Sequence, residues 1–139
     1  MSRRPKKCIT VKEAKTLQAN YVSKIEKILK EKLGKEECRD FWWSLEDIEE
    51  YITYFKVEAA AKGYKNLGLR FYLGKYDSDN DGYPDQTTMF IAPTGVQTNE
   101  DFVSLKGETI GAMTASTDDN IYEIEAMNDG FAGVPPKNY

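Results

Sequence analysis

Two stretches of this chain carry apolar residues at helical spacing, and the pattern then switches to alternation. Val11, Ala14, Leu17, Tyr21, Val22, Ile25, Ile28, Leu29 and Leu33 recur every three or four residues, which predicts an amphipathic helix over 11–33. Thr10 and Glu13 form a capping box at its start, and Gly34 is a natural stop. Leu45, Ile48, Tyr51, Ile52, Phe55 and Ala59 make a second helical stripe, with Ser44 as N-cap, Asp47 three residues on, and Gly63 at the end. Trp43 is placed to staple onto Ile48, and Glu46, Asp47, Glu49 and Glu50 crowd the positive end of the helix dipole.

Alternation begins at Leu67. Leu67, Leu69, Phe71 and Leu73 interleave with Gly68, Arg70 and Tyr72, the mark of a half-buried strand. Residues 86–92 read as a second strand, ended by Pro93 and Gly95. The simplest topology is a hairpin with residues 77–85 at its tip. Residues 120–126 read as a third strand, and a short element is expected around Phe102–Leu105 in an otherwise irregular 94–119. Gly130, Gly133, Pro135 and Pro136 make 129–139 an extended tail. The expected fold is one α+β domain over 1–139: two antiparallel helices on a small, mainly antiparallel sheet, with an irregular C-terminal segment and a basic N-terminal arm at 1–9.

Composition narrows the chemistry. With 139 residues, 40% of them hydrophobic, the chain has the size and content of one globular domain. It contains no histidine, so the commonest neutral-pH general base and transition-metal ligand is missing. Zinc held by two cysteines alone is disfavoured. Cys8 and Cys38 flank a helix that is roughly 35 Å long, too far apart for a disulfide given the few residues of slack at either end. Both are expected as free thiols, which suits a reducing compartment. No apolar run approaches membrane-spanning length or follows the basic start as a signal peptide would. The expected location is therefore cytoplasmic, or secreted if a leader precedes this sequence.

The net charge of −4 hides a gradient: residues 1–34 carry ten Lys/Arg and three Asp/Glu, and residues 64–139 carry five and twelve. Lys12, Lys15, Lys24, Lys27, Lys30 and Lys32 are spread around the first helix rather than gathered into a stripe, so nucleic-acid binding is not expected. A solvated face, or a surface offered to a protein partner, fits better. Phe41, Trp42, Trp43, Tyr51, Tyr54 and Phe55 read first as core anchors and second as a ligand groove. Glu123 and Glu125 read first as surface strand residues. An alternative reading makes the protein a small enzyme or small-ligand binder, with Glu123 or Glu125 beside Tyr51 or Trp42 in an aromatic and carboxylate-lined pocket. No phosphate loop, nucleophile elbow or dinucleotide fingerprint is present.

The densest chemistry lies in Asp77-Ser78-Asp79-Asn80-Asp81-Gly82-Tyr83-Pro84-Asp85. Alternating aspartates followed by glycine give a hard cation several oxygens on a sharply turned backbone. Numbered as an EF-hand loop, position 12 falls on Thr88 instead of glutamate, and Pro84 lacks an N–H that paired EF-hand loops use. The segment resembles instead the DxDxDGxPD calcium motifs of thrombospondin type 3 repeats and related bacterial surface proteins. That resemblance covers nine residues and implies Asp77, Asp79, Asp81, Tyr83 (through its carbonyl) and Asp85 as ligands of a weakly held Ca2+. The competing origin of such composition is a solvated turn. A wider pattern, Asp40-Phe41-Trp42-Trp43-Ser44-Leu45 and then Leu69-Arg70-Phe71-Tyr72-Leu73-Gly74, resembles small bacterial proteins with no assigned activity, and implies a self-contained domain only. The leading expectation is a non-catalytic binding or structural module with a calcium-compatible hairpin loop.

Overall fold

A computed structural model describes residues 3–97, 119–133 and 139. The fold is α+β. Its elements are α1 (Val11–Tyr21), a π-helical turn (Val22–Glu26), α2 (Lys27–Leu33), β1 (Phe41–Trp42), α3 (Leu45–Ala61), β2 (Tyr64–Lys75), β3 (Thr87–Gln97) and β4 (Phe131–Ala132). β2 pairs with β3, and β1 with β4, in two-stranded sheets. The chain divides into two compact units, Met1–Phe41 with Ala132–Tyr139, and Trp42–Phe131. The expected element near Phe102–Leu105 lies outside the described residues.

In the first unit, the predicted helix is continuous from Val11 to Leu33. Thr10 Oγ1 accepts from the Glu13 N–H, and the Glu13 carboxylate accepts in return from the Thr10 N–H at 2.7 Å. These bonds hold the Glu13 pKa below its ordinary value. Gly34 closes the helix in the left-handed region, at φ 71°. The predicted apolar stripe is not the inward face, however. Leu17, Tyr21, Ile25, Ile28 and Leu33 are exposed, whereas Ala14, Gln18, Val22, Glu26 and Leu29 are the least exposed positions. The π-helical turn bears on the last part of that line: by underwinding the helix it keeps Glu26 close to the line of Gln18 and Val22. Glu26 is buried on that line and pairs with Arg39, Oε2 to Nη1 at 3.1 Å. Cys38 is buried and Cys8 exposed, and the two are not joined in a disulfide. Part of the expected tail is ordered by pairing, since Phe131–Ala132 is a strand and the Gly133 N–H donates to the Asp40 carbonyl.

The second unit is built on the β2–β3 hairpin and α3. Ser44 Oγ accepts from the Asp47 N–H at 2.9 Å, and Gly63, at φ 78°, follows the helix end. Phe55 and Ala59 of α3 form a buried cluster with Ile121 and Ile124, against which Tyr64 and Leu69 of β2 pack. Leu45, expected in that stripe, is 74% exposed because it opens the helix ahead of the cluster. Phe71 and Leu73 are likewise 56% and 70% exposed: the twelve-residue strand outreaches the cluster that covers Leu69.

β3 runs on through Pro93 and Gly95, which were expected to end it. Odd-numbered residues of β3 turn their backbone groups away from β2, as the Ile91–Met127 exchange and the Gly95 N–H to Asp119 bond show. The missing N–H of Pro93 therefore costs no bond in the β2–β3 ladder. A side chain at Gly95 would meet the Lys65 carbonyl and the Leu67 and Ile121 side chains at 3.1–3.2 Å. Residues 120–126 are not the expected strand. They touch β3 through isolated antiparallel bridges, Asn120 to Thr94 and Met127 to Ile91, with a turn between. Four extra residues loop out there, which places both Ile121 and Ile124 inside.

Candidate functional site

The loop between β2 and β3 is at the hairpin tip, as the alternation of the flanking residues predicts. It closes through the Tyr76 N–H to the Gln86 carbonyl at 2.9 Å. Asn80 organises its interior, with Oδ1 accepting from the N–H groups of Gly82 (3.1 Å) and Tyr83 (2.8 Å). The Asp77 carbonyl accepts from the N–H groups of Asn80 and Asp85. Tyr83 stacks on Tyr76 with ring centroids 5.5 Å apart.

Asp77, Asp79, Asp81 and Asp85 are all exposed. Among the described residues, no three Asp, Glu, Cys or His side chains come together as a group able to hold a metal ion. The Tyr83 carbonyl, expected as a ligand, accepts the Gln86 N–H at 3.2 Å. Gly82 was expected to supply the sharp turn, yet it is not at positive φ and nothing lies near its Cβ position. Asp85, at φ 57°, takes the left-handed conformation instead. Thr88, at EF-hand position 12, is buried in β3 with its hydroxyl near Tyr76 and Asn128. By donor type the tip suits a hard cation. To coordinate one, its aspartates must swing together.

A second cluster of chemistry lies on α3. Asp47, Glu50, Tyr51 and Tyr54 recur at positions i, i+3, i+4 and i+7, so they share one helix face. Together with Trp43 and residues 127–129 they line an open cleft of about 460 Å³. Trp43, expected as a staple onto Ile48, donates its indole N–H to the Asn128 carbonyl at 2.9 Å. Its ring lies so close to Gly130 that an added Cβ would come within 2.5 Å of it. Tyr51 donates its hydroxyl to the Glu125 carbonyl at 2.8 Å, and the Tyr54 hydroxyl accepts from the Glu125 N–H at 3.3 Å. The two rings stand 6.0 Å apart. Burial, and then the neighbouring Tyr54, push the Tyr51 pKa up to about 12. Asp129, at φ 55°, holds the left-handed backbone that Asn and Asp tolerate better than most residues.

The alternative reading placed Glu123 or Glu125 beside these aromatics. Glu123 instead sits in the turn after Ile121, where its carboxylate accepts from the Tyr64 hydroxyl at 2.5 Å and raises that phenol's pKa. Glu125 touches Tyr51 and Tyr54 through its backbone. With no strand there, the two side chains have no alternating register to align them. Trp42 is 57% exposed and pairs with Phe131 at 5.8 Å. The cleft's carboxylates are Asp47, Glu50 and Asp129. The first two were read as dipole-stabilising residues and the third as part of a tail. The i, i+3, i+4, i+7 spacing from Asp47 to Tyr54 was the available signal.

No family model matches the chain, nor does any curated protein or solved structure. Among the described residues, no helix is long and apolar enough to cross a membrane.

Proposed function

We propose that this chain is a non-catalytic binding or structural module whose hairpin tip takes up calcium weakly. The observation that carries this reading is the closed 76–86 loop: it carries four exposed aspartates on one short turn between two paired strands. Like charges at that spacing repel, and a divalent cation relieves the repulsion. The ion then orders the tip for a protein partner. An isolated motif without a bidentate glutamate implies affinity in the extracellular, sub-millimolar to millimolar range. Calcium at millimolar concentration is expected to raise the melting temperature and release or absorb heat in calorimetry, with magnesium as control. The double variant Asp79→Asn, Asp81→Asn abolishes both signals. Folded protein that gives neither signal overturns the reading.

A second reading, a small-ligand binder, is favoured by the α3 cleft. Its aromatic rings are held by hydrogen bonds to the main chain of 125 and 128, the preformed arrangement expected of a ligand site.

A further inference from the structure

Among the described residues, the charged groups that line the α3 cleft are Asp47, Glu50 and Asp129, all acidic, and no described lysine or arginine joins them. The aromatic groups are Trp43, Tyr51 and Tyr54. The polar atoms of those rings are already engaged: the indole N–H by Asn128, the Tyr51 hydroxyl by the Glu125 carbonyl, and the Tyr54 hydroxyl by the Glu125 N–H. Aromatic surface and carboxylates are therefore the cleft's principal offerings. A π-face is electron-rich and attracts a cation most strongly when that cation is weakly hydrated. Carboxylates add long-range attraction for the same sign of charge. The same three carboxylates do not converge as a metal-holding group, which separates this chemistry from that of a bare divalent ion.

Position and support agree with this assignment. Asp47, Glu50, Tyr51 and Tyr54 project from one face of a regular helix, so their spacing is fixed by α3 itself. Trp43 is pinned between its hydrogen bond to residue 128 and the bare backbone of Gly130. Asp129 is carried on a left-handed residue between them. A volume of about 460 Å³ accommodates a small molecule rather than a folded surface.

We infer that the α3 cleft binds a small organic cation with an alkylated ammonium head, seated among Trp43, Tyr51 and Tyr54 and neutralised by Asp47, Glu50 and Asp129. This rests on the small-ligand reading of the cleft.

The test uses choline and its neutral carbon isostere, 3,3-dimethyl-1-butanol, each titrated into the full chain and followed by amide and indole NMR shifts. Choline is expected to shift the Trp43 indole N–H and the amides of 127–130, the isostere at least about tenfold more weakly. Equal binding of the two at the cleft leaves a small-ligand site standing and overturns the cation assignment. No shift at the cleft with either probe, up to tens of millimolar, overturns both. Asp47→Asn, Glu50→Gln and Asp129→Asn replace exposed side chains and keep the fold; combined, they should weaken choline about tenfold and remove its salt dependence. Unchanged affinity in that variant counts against the inference. Trp43→Ala is expected to weaken choline by a similar factor, and its folding is checked by the amide spectrum. A trimethyllysine peptide, run in parallel, distinguishes the source of the head group: tighter binding than choline points to a protein side chain, weaker binding to a free metabolite-sized cation.

Discussion

The hairpin tip and the α3 cleft both gather carboxylates, on very different supports. At the tip, four aspartates lie within nine residues of sequence and remain exposed, with their order set by backbone bonds around Asn80. In the cleft, three carboxylates come from positions 47, 50 and 129 and stand beside rings whose hydroxyl and indole groups are tied to the main chain. The tip is dense in sequence and loose in space. The cleft is sparse in sequence and organised in space. Density along a chain advertises chemistry, whereas preorganisation decides how much reordering a ligand must offset on binding.

The sharpest way to break this comparison is to remove the core that both regions stand on. Phe55 is 3% exposed, and Phe55→Ala should lower unfolding free energy by about 3–5 kcal/mol in urea melts. Hairpin and cleft signals should be lost together. A hairpin that outlives the cleft would show that the two regions do not share one cooperative unit.

Gly130→Ala comes next. The added methyl would collide with the Trp43 ring, and about 1–3 kcal/mol of destabilisation is expected from such overpacking. Shifts in the amide spectrum should concentrate at 43, 51 and 127–130 and leave 77–85 unchanged. Asn80→Ala is the mirror experiment. It removes an acceptor from two backbone N–H groups and should cost about 1 kcal/mol, with shifts confined to 76–86.

The smallest effect is on pH dependence. The Tyr51 pKa is raised from 10.0 to about 12 in the fold, so folding favours the neutral phenol. Its contribution is complete below pH 10 and is lost as pH rises through about 12. Half-exposure of the ring reduces the size of that loss. Thermal melts between pH 9 and 12 should show a decline that Tyr51→Phe flattens.

Local signals in the sequence were dependable where the physics is local. The Thr10–Glu13 box, the Ser44 cap, the Gly34 and Gly63 stops and the hairpin around 77–85 all follow from a few neighbouring residues and appear as expected. The Phe55–Ala59 part of the second stripe is buried for the same reason. What the sequence hid depends on distant partners. Pro93 looked like a strand terminator because nothing nearby tells which edge its missing N–H faces. Residues 120–126 were expected as a strand with Glu123 and Glu125 on its surface, yet they bulge between two bridges to β3. The α3 side of the cleft had a local signal in its spacing, but the other wall did not, because Asp129 and Gly130 are separated from Trp43 by more than eighty positions. The first helix teaches the same lesson at shorter range: its apolar spacing assumed an unbroken α-helix.

That unbroken-helix assumption fails at Val22–Glu26, and the consequence is one of phase. One extra residue in a helical turn rotates everything after it by about 100° relative to everything before. Removing a single residue from 22–26 would rewind the segment and shorten it by about 1.5 Å. Glu26 would then follow Val22 by three residues instead of four, on the same side of the helix but with a changed approach to the Arg39 guanidinium. The length of this helix is thus also its clock: which side chains meet the rest of the first unit is set by a count of residues, and a deletion that spares every apolar position would still alter the angle at which Glu26 is presented.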